Sequence, residues 1–164
     1  TLEQAYENLN HIQEKQYNCT VLNIATALIA TGFSMMLGGT IQDVLAATAA
    51  GLCLGCCIMI GKKIRMNGII ADIFSCMIMT LFTMSMRGFM IPFMNMDIVI
   101  VSAIMPIVPG VAITNAIRDT LQGDYLSGCA RILEAFLKAA SIALGVGIGI
   151  AVFEMLAGGV LACL

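Results

Sequence analysis

Residues 97–119 read DIVIVSAIMPIVPGVAITNAIRD, and this stretch decides how the chain folds. It is apolar over a membrane-spanning length, but it contains Pro106 and Pro109 three positions apart. Proline removes a backbone donor, clashes with the preceding helical turn and disfavours helical dihedrals in the residue before it. A helix that begins at Asp97 therefore breaks after about 14 Å, close to the middle of a bilayer. A second half-helix then begins at Gly110.

The composition of the whole chain is that of a membrane protein. Of its 164 residues, 60% are hydrophobic and 11% are charged, whereas a soluble domain carries roughly 25% charged residues. The sequence lacks the sustained apolar/polar alternation of transmembrane β-strands, so the predicted spans are helices. Ten acidic and eight basic residues leave no basic surplus for a phosphate backbone, which argues against nucleic acid as a partner.

Outward from the proline stretch, the apolar segments lie at 20–37, 44–60, 69–86 and 98–117, and a last one begins near position 139. A hydrocarbon core of about 30 Å requires about 20 such residues. We therefore predict an all-α membrane domain over 19–164, formed by a bundle of five transmembrane helices with a proline-broken fourth helix. This domain is expected to lie in the lipid bilayer.

Residues 1–18 are polar, but Leu2, Ala5, Leu9 and Ile12 recur at helical spacing among acidic side chains. This pattern predicts a short amphipathic juxtamembrane helix. The segment is too polar for a signal peptide and the chain begins without methionine, so we expect a piece of a longer protein.

The basic residues predict the orientation, because cytoplasmic loops retain lysine and arginine. Seven basic residues fall on one side of the predicted spans and only Arg87 falls on the other; the seven are Lys15, Lys62, Lys63, Arg65, Arg118, Arg131 and Lys138. The N-terminus is then cytoplasmic and, with five spans, the C-terminus is outside. A second five-span half would be inverted, as in many secondary transporters; a complete five-helix bundle is the alternative.

The break at Pro106–Gly110 predicts a binding site, because irregular backbone at membrane depth is tolerated only beside protein or a water-filled cavity. The N–H groups at Gly110 and the positive end of the helix dipole suit a carboxylate. The carbonyls before Pro106 suit an ammonium group or a cation. A zwitterionic amino acid, or a small carboxylate with a coupled proton, fits both ends.

The half-helix after the break has one polar face, formed by Thr114, Asn115, Arg118 and Asp119. We hypothesise that this face lines the substrate path, with Arg118 as a fork for a carboxylate and Asp119 as its partner. The alternative is that Arg118 and Asp119 only mark the cytoplasmic end of the span.

Gly123 is placed to end this half-helix and Asp124 to cap the next. The next helix has a polar stripe of Ser127, Arg131, Glu134 and Lys138. The stripe is either a solvated face or, in part, an inner gate in which Arg131 and Glu134 meet Arg118 and Asp119.

Two further carboxylates, Glu154 and Asp72, lie at or near the predicted spans. Glu154 is either an intramembrane proton relay or an interfacial residue, and Asp72 is best explained as a helix-start residue near the basic loop. The pairs Gly51/Gly55 and Gly145/Gly149 have the spacing of close helix packing. Clustered cysteines on one helix make a poor metal site, so we expect no metal and no cofactor, and no motif indicates an enzyme.

The run PGVAITNAIRDTLQGDYLSGCARILEA at 109–135 closely resembles the signature of the bacterial threonine/serine exporter family. The segments Leu2–Ala5, Gly38–Gly39 and 98–106 also resemble that family, so the similarity covers essentially the whole chain. The motif positions carried over are Pro109, Gly110, Asn115, Arg118, Asp119, Gly123, Asp124, Gly128, Arg131 and Glu134.

The resemblance implies an inner-membrane carrier that exports small hydrophilic metabolites with the proton motive force. It also implies a second transporter half, either a following block of spans or a separate small membrane protein; the two-polypeptide form is associated with succinate export. Family members carry a soluble region upstream, and we expect that this region is missing from the present piece of the chain. We therefore expect one half of a threonine/serine exporter, with a dicarboxylate exporter subunit and a non-transporting scaffold as alternatives, and homo-oligomerisation left open.

Overall fold

Helical stretches between glycine-, proline- and asparagine-containing turns account for the whole described structure. A computed structural model describes residues 18–89 and 93–161, with the side chains of 89 and 157–161 excepted. In order, the helices are α1 (Cys19–Met36), α2 (Ile41–Lys63), α3 (Gly68–Phe89), α4 (Met96–Ile104), α5 (Gly110–Leu121) and α6 (Tyr125–Leu161), with a 3-10 turn at Met105–Ile107 after α4. The predicted amphipathic helix over 1–18 lies, apart from its last residue, outside the described residues.

The prediction of an all-helical membrane protein is confirmed for the described residues. Four helices, α1, α2, α3 and α6, are long and apolar enough to cross a membrane. The predicted bounds of the first three spans agree with the observed helices to within three residues. The segment from Met96 to Leu121 is a pair of helices, bent by 57° at the predicted break.

The backbone at the break differs from the prediction at one proline. Val108 leaves the helix (φ −60°, ψ 129°), as expected before Pro109. Met105 keeps helical dihedrals (φ −51°, ψ −38°), so the prediction that it would leave them is wrong. The chain tightens into a 3-10 turn there, and Pro106 occupies a first-turn position where a missing donor has little cost.

The last helix is longer than the sequence indicated. A separate helix after Asp124 and a span beginning near 139 are joined as one uninterrupted α6 of 37 residues. No proline interrupts residues 125–161, and helix-forming alanine, leucine, arginine and glutamate dominate its first half. At 1.5 Å per residue α6 is about 55 Å long, well beyond a hydrocarbon core of about 30 Å.

Glycines set the closest helix contacts. A Cβ on Gly51 would lie 2.8 Å from Ala30 Cβ on α1, and one on Gly55 would lie 2.6 Å from Thr26 Oγ1. On the other side of the bundle, a Cβ on Gly145 would lie 2.5 Å from the Ile73 carbonyl oxygen of α3. The prediction that these glycines serve packing is confirmed.

Helices α3 and α6 run parallel, because residues further along α6 contact residues further along α3. Gly145 faces Ile73 and Cys76, and Gly149, one turn further along α6, faces Met77 and Thr80. The core between these helices and α2 and α4 consists of small and medium side chains, among them Ala46, Ala50, Leu54, Val99 and Ile142.

A buried carboxylate joins the loops at the end of the bundle where α2 begins. Asp43 is fully buried. Its Oδ2 accepts hydrogen bonds from the Thr40 backbone N–H and hydroxyl, and its Oδ1 accepts one from the Asn95 backbone N–H, each at 2.8 Å. This aspartate therefore ties the α1–α2 turn to the start of α4, and its charge is satisfied by three donors.

The glycine contacts predict a matched pair of effects. Gly145→Val places side-chain atoms against the α3 backbone, whereas a Cβ on Gly147 would have nothing within 4 Å. We expect Gly145→Val to lower the unfolding free energy by about 1–3 kcal/mol, measured as an earlier loss of helical circular dichroism on heating in detergent. Gly147→Val is the control; equal midpoints for the two variants would contradict the packing described here.

Candidate functional site: a polar cavity at the helix break

The break borders a cavity of about 350 Å³ at the end of the bundle that carries the basic loop. Its walls come from α1, α2, α3, the 3-10 turn and α6. The residues that matter for its chemistry are Thr26, Gly55, Lys62, Asp72, Pro106, Ile107 and Lys138. The cavity reaches from the middle of α2 at Gly55 to its last turn at Lys62, so the break lies in the basic half of the bundle.

An ion pair spans the cavity wall between α3 and α6. Asp72 Oδ2 lies 4.0 Å from Lys138 Nζ, and the two side chains are 17% and 43% exposed. The distance is too long for a direct hydrogen bond. The parallel packing of α3 and α6 places these residues at one level although 66 positions separate them. The pair is loose and accessible, which is suitable for binding a small charged molecule between its members.

The end of the cavity away from the Asp72–Lys138 pair also contains polar atoms. Thr26 and Gly55 line it, and Asn23 is adjacent, since a Cβ on Gly55 would overlap Asn23 Oδ1. Asn23 Nδ2 donates to Cys56 Sγ at 3.0 Å, while Asn23 Oδ1 is buried without a hydrogen-bond partner among the described residues. An unsatisfied buried acceptor is costly and is a usual feature of sites that receive a ligand or water.

Beyond the cavity, α5 folds back along the first half of α6 as a helical hairpin. We call residues 110–138 the hairpin. The predicted boundary signals are confirmed: Gly123 has a positive φ of 90° after α5, and Asp124 Oδ1 accepts from the Ser127 N–H at the start of α6. Gly128 permits the close approach, because a Cβ there would overlap the Thr120 hydroxyl.

The partner of Asp119 differs from the one predicted. Asp119 Oδ2 lies 2.9 Å from Arg131 Nε and accepts a hydrogen bond of 3.3 Å from the Ser127 hydroxyl. The sequence predicts Arg118 as its partner, but Arg118 is one position and about 100° around the helix from Asp119, and its side chain is exposed. Of the predicted gate, only the Arg131–Asp119 contact forms; Glu134 is exposed and has no ion pair among the described residues.

The hairpin holds a few polar residues between its two helices and leaves large apolar residues outside. Asp119 and Thr120 are half-buried against α6 and Ala116 is fully buried. By contrast, large apolar side chains project outward; Val111, Leu121, Leu126, Leu133 and Phe136 are each at least 60% exposed. Packing between α5 and any described helix other than α6 is slight. The hairpin therefore presents an uncovered apolar surface.

The structure brings together only part of the predicted site. Pro106 lines the polar cavity, whereas Pro109 borders a separate apolar groove between α4 and α6. Gly110 N–H donates to the Val108 carbonyl at 2.8 Å, so this predicted anion donor is already used. The remaining predicted residues lie away from the cavity wall: Thr114, Asn115, Arg118, Asp119, Asp124, Arg131 and Glu134 are on the hairpin, and exposed Glu154 is towards the far end of α6.

Sequence reasoning misses the charged residues of the cavity. It explains Asp72 as a helix-start residue, uses Lys62 to predict orientation, and places Lys138 in a polar stripe as well as among the orienting basic residues. The available signal is that Asp72 and Lys138 are charges at the borders of apolar segments, which is unusual enough to indicate a partner. Within the described part of the chain, no cluster of three or more histidine, cysteine, aspartate or glutamate side chains is suited to hold a metal ion.

A helical membrane protein with a broken helix beside a polar cavity has the architecture of a membrane transporter. The comparison with protein families agrees: residues 1–153 match the ThrE family, described as "Putative threonine/serine exporter", and the chain belongs to this family. Searches of curated proteins and of solved structures returned no match.

The hairpin contacts predict a specific result in double-mutant cycles. Asp119→Asn and Arg131→Gln should couple by a measurable amount of up to about 1 kcal/mol, because the pair is partly exposed. Asp119→Asn and Arg118→Gln should show no coupling, since Arg118 does not contact the carboxylate. Stability would be measured by chemical unfolding in detergent; a larger coupling to Arg118 than to Arg131 would contradict the observed pairing.

Proposed function

We propose that this chain is one half of a secondary transporter that exports threonine and serine from the bacterial cytoplasm across the inner membrane. The observation that carries the proposal is the cavity at the helix break, which holds one carboxylate and two ammonium groups, from Asp72, Lys62 and Lys138, in a chain of the ThrE family. Threonine and serine are zwitterions, so they need groups of both signs within a short distance.

The chemistry of the cavity suits an amino acid. The lysines attract the substrate carboxylate and Asp72 attracts its ammonium group, since charge-assisted hydrogen bonds are the strong ones at a binding site. Thr26 and the neighbouring Asn23 Oδ1 supply hydrogen-bonding atoms for a side-chain hydroxyl. A volume of about 350 Å³ lies within the usual range for small-molecule sites.

The proposed orientation follows the basic residues. The bent pair Met96–Ile107 and Gly110–Leu121 is taken as one broken span, the fourth along the chain, which brings the number of spans to five. With seven of eight basic residues on one side, the N-terminus is cytoplasmic and the C-terminus outside. The cavity, which contains Lys62 and Lys138, then opens to the cytoplasm, where an exporter collects its substrate.

The proposed mechanism is proton-driven alternating access. The break at Val108–Pro109 leaves α4 held by the bundle while α5 packs on α6. A movement of the hairpin relative to α4 needs changes at these irregular residues, which is how hinges absorb motion. It also needs a bend or tilt of the continuous α6, which carries the other arm of the hairpin. The role proposed for the polar residues of the hairpin, including Asn115 and Arg118, is to guide substrate to the cavity.

The proposed partner is the second transporter half, supplied as a further membrane block or as a separate small membrane protein. Its contact surface is the apolar outside of the hairpin, because α6 is the main described helix in contact with α5 and leaves that side uncovered. Large uncovered apolar patches mark protein or membrane contacts.

A dicarboxylate such as succinate is the second candidate substrate. It is favoured by one observation, that the cavity holds two lysines and only one aspartate. A scaffold without transport activity would need none of these charges. Transport assays on variants that lack one of the cavity charges therefore distinguish the candidate substrates.

The first such prediction concerns Lys138. Proteoliposomes that contain this chain and its second half should export labelled threonine or serine when a pH gradient drives protons inward, and efflux should require both halves. We expect Lys138→Gln to lower the efflux rate at least tenfold, because the loss of a charge-assisted hydrogen bond costs about 1.5–3 kcal/mol. Lys63→Gln is the control, since Lys63 is exposed and lies off the cavity wall.

The outcomes separate the candidates. Efflux of succinate alone would favour the dicarboxylate exporter. An absence of flux for threonine, serine and succinate, with both halves folded, would contradict the transport function and favour the scaffold.

A second prediction concerns the hairpin surface. Phe136→Glu places a charge on its apolar outside, where Phe136 is 67% exposed. We expect the second half to co-purify at least tenfold less well, while the chain alone keeps its unfolding temperature. Gln122→Glu, at the exposed tip of the hairpin, is the control. Undiminished co-purification with Phe136→Glu would place the partner elsewhere.

A further inference from the structure

We infer that Asp72 is the coupling residue: its carboxylate binds either a proton or the ammonium group of the exported amino acid, never both. The inference rests on the proposed function and extends it by assigning the group at which proton and substrate compete. It is carried by the position and the unsatisfied hydrogen bonding of Asp72 in the cavity.

Asp72 differs from the other carboxylates of the described chain because its side chain is largely buried and yet accepts no hydrogen bond from a described residue. Asp43 is buried and already accepts three hydrogen bonds. Asp119 is held by Arg131 and Ser127. Asp72 accepts no hydrogen bond from a described residue within bonding distance; its nearest cation is Lys138 at 4.0 Å. Its side chain is 17% exposed and lines the cavity.

The groups around Asp72 act on its charged and protonated forms in opposite directions. Lys138 comes from α6 and Lys62 from the last turn of α2, while α1 supplies Thr26 and the 3-10 turn supplies only apolar Pro106 and Ile107. The Cys76 thiol, one turn further along α3, is a further titratable group close to Asp72, and the Cys57 thiol of α2 is close to Cys76. Lys138 favours the ionised form of Asp72, whereas the partial burial of its side chain favours the protonated form, so this carboxylate is suited to exchange a proton.

Competition at one carboxylate is sufficient to couple the two fluxes. Ionised Asp72, open to the cytoplasm, binds the substrate ammonium, and the lysines bind the substrate carboxylate. After the cavity opens outward the substrate leaves, and a proton from outside binds Asp72. When the cavity returns, this proton is released to the cytoplasm. Each cycle therefore moves one proton inward and one amino acid outward, with no other reactant.

The test is the pH dependence of threonine binding to the purified protein with its second half, measured by calorimetry between pH 5 and pH 8. We expect wild-type affinity to increase with pH by up to tenfold per unit while Asp72 loses its proton, and then to level off. Asp72→Asn should bind threonine at least tenfold more weakly, with no dependence on pH. Asp72→Glu keeps the charge and should keep the pH dependence.

The control is Asp97→Asn, an exposed carboxylate at the opposite end of the bundle, which should behave as wild type. Helical circular dichroism and elution volume identify folded variants, and Asp72→Glu provides the test if Asp72→Asn does not fold. Wild-type affinity that is independent of pH, or equal in Asp72→Asn, would overturn the inference. Failure of the proposed function is distinct, because wild type would then show no efflux in proteoliposomes whatever the binding curve.

Discussion

The two prolines of the fourth apolar segment constrain the rest of the structure. A straight helix of that length would cross the bundle and fill the space between α1, α2, α3 and α6. Instead α4 ends at Ile104, a 3-10 turn follows and the chain bends by 57° into α5. The space left beside Pro106 and Ile107 is the polar cavity. Irregular backbone inside a membrane protein is stable only beside such a cavity or other protein, so the break and the site depend on each other.

The charges of the cavity depend in turn on glycine packing. Gly145 and Gly149 allow α6 to lie against the α3 backbone, and this contact fixes the level at which the two parallel helices meet. Asp72 and Lys138 face one another only in that register. Small residues permit close approach of helices where burial from water provides no driving force, and here the same contact determines the electrostatics of the site.

Local patterns in the sequence are sufficient to predict most of the helices, the turn between α5 and α6 and the break, although they divide the continuous α6 into two helices. The apolar segments, Gly123, Asp124 and the Pro–Gly motif each act over a few residues, so these predictions do not depend on distant contacts. Prediction fails where distant residues meet. Asp119 pairs with Arg131 rather than Arg118, because the hairpin brings the next helix alongside. Asp72 and Lys138 are separated by 66 positions, and no periodicity within one helix indicates such a pair.

The formal charges of the cavity bear on the choice between the two proposed substrate classes. With Asp72 ionised, two lysines and one carboxylate leave a net charge of +1, and a zwitterion finds a partner for each of its ends. With Asp72 protonated, the net charge is +2 and the complementary ligand is a dianion. The proposed choice between the two substrate classes therefore depends on the protonation state of one carboxylate rather than on the shape of the cavity.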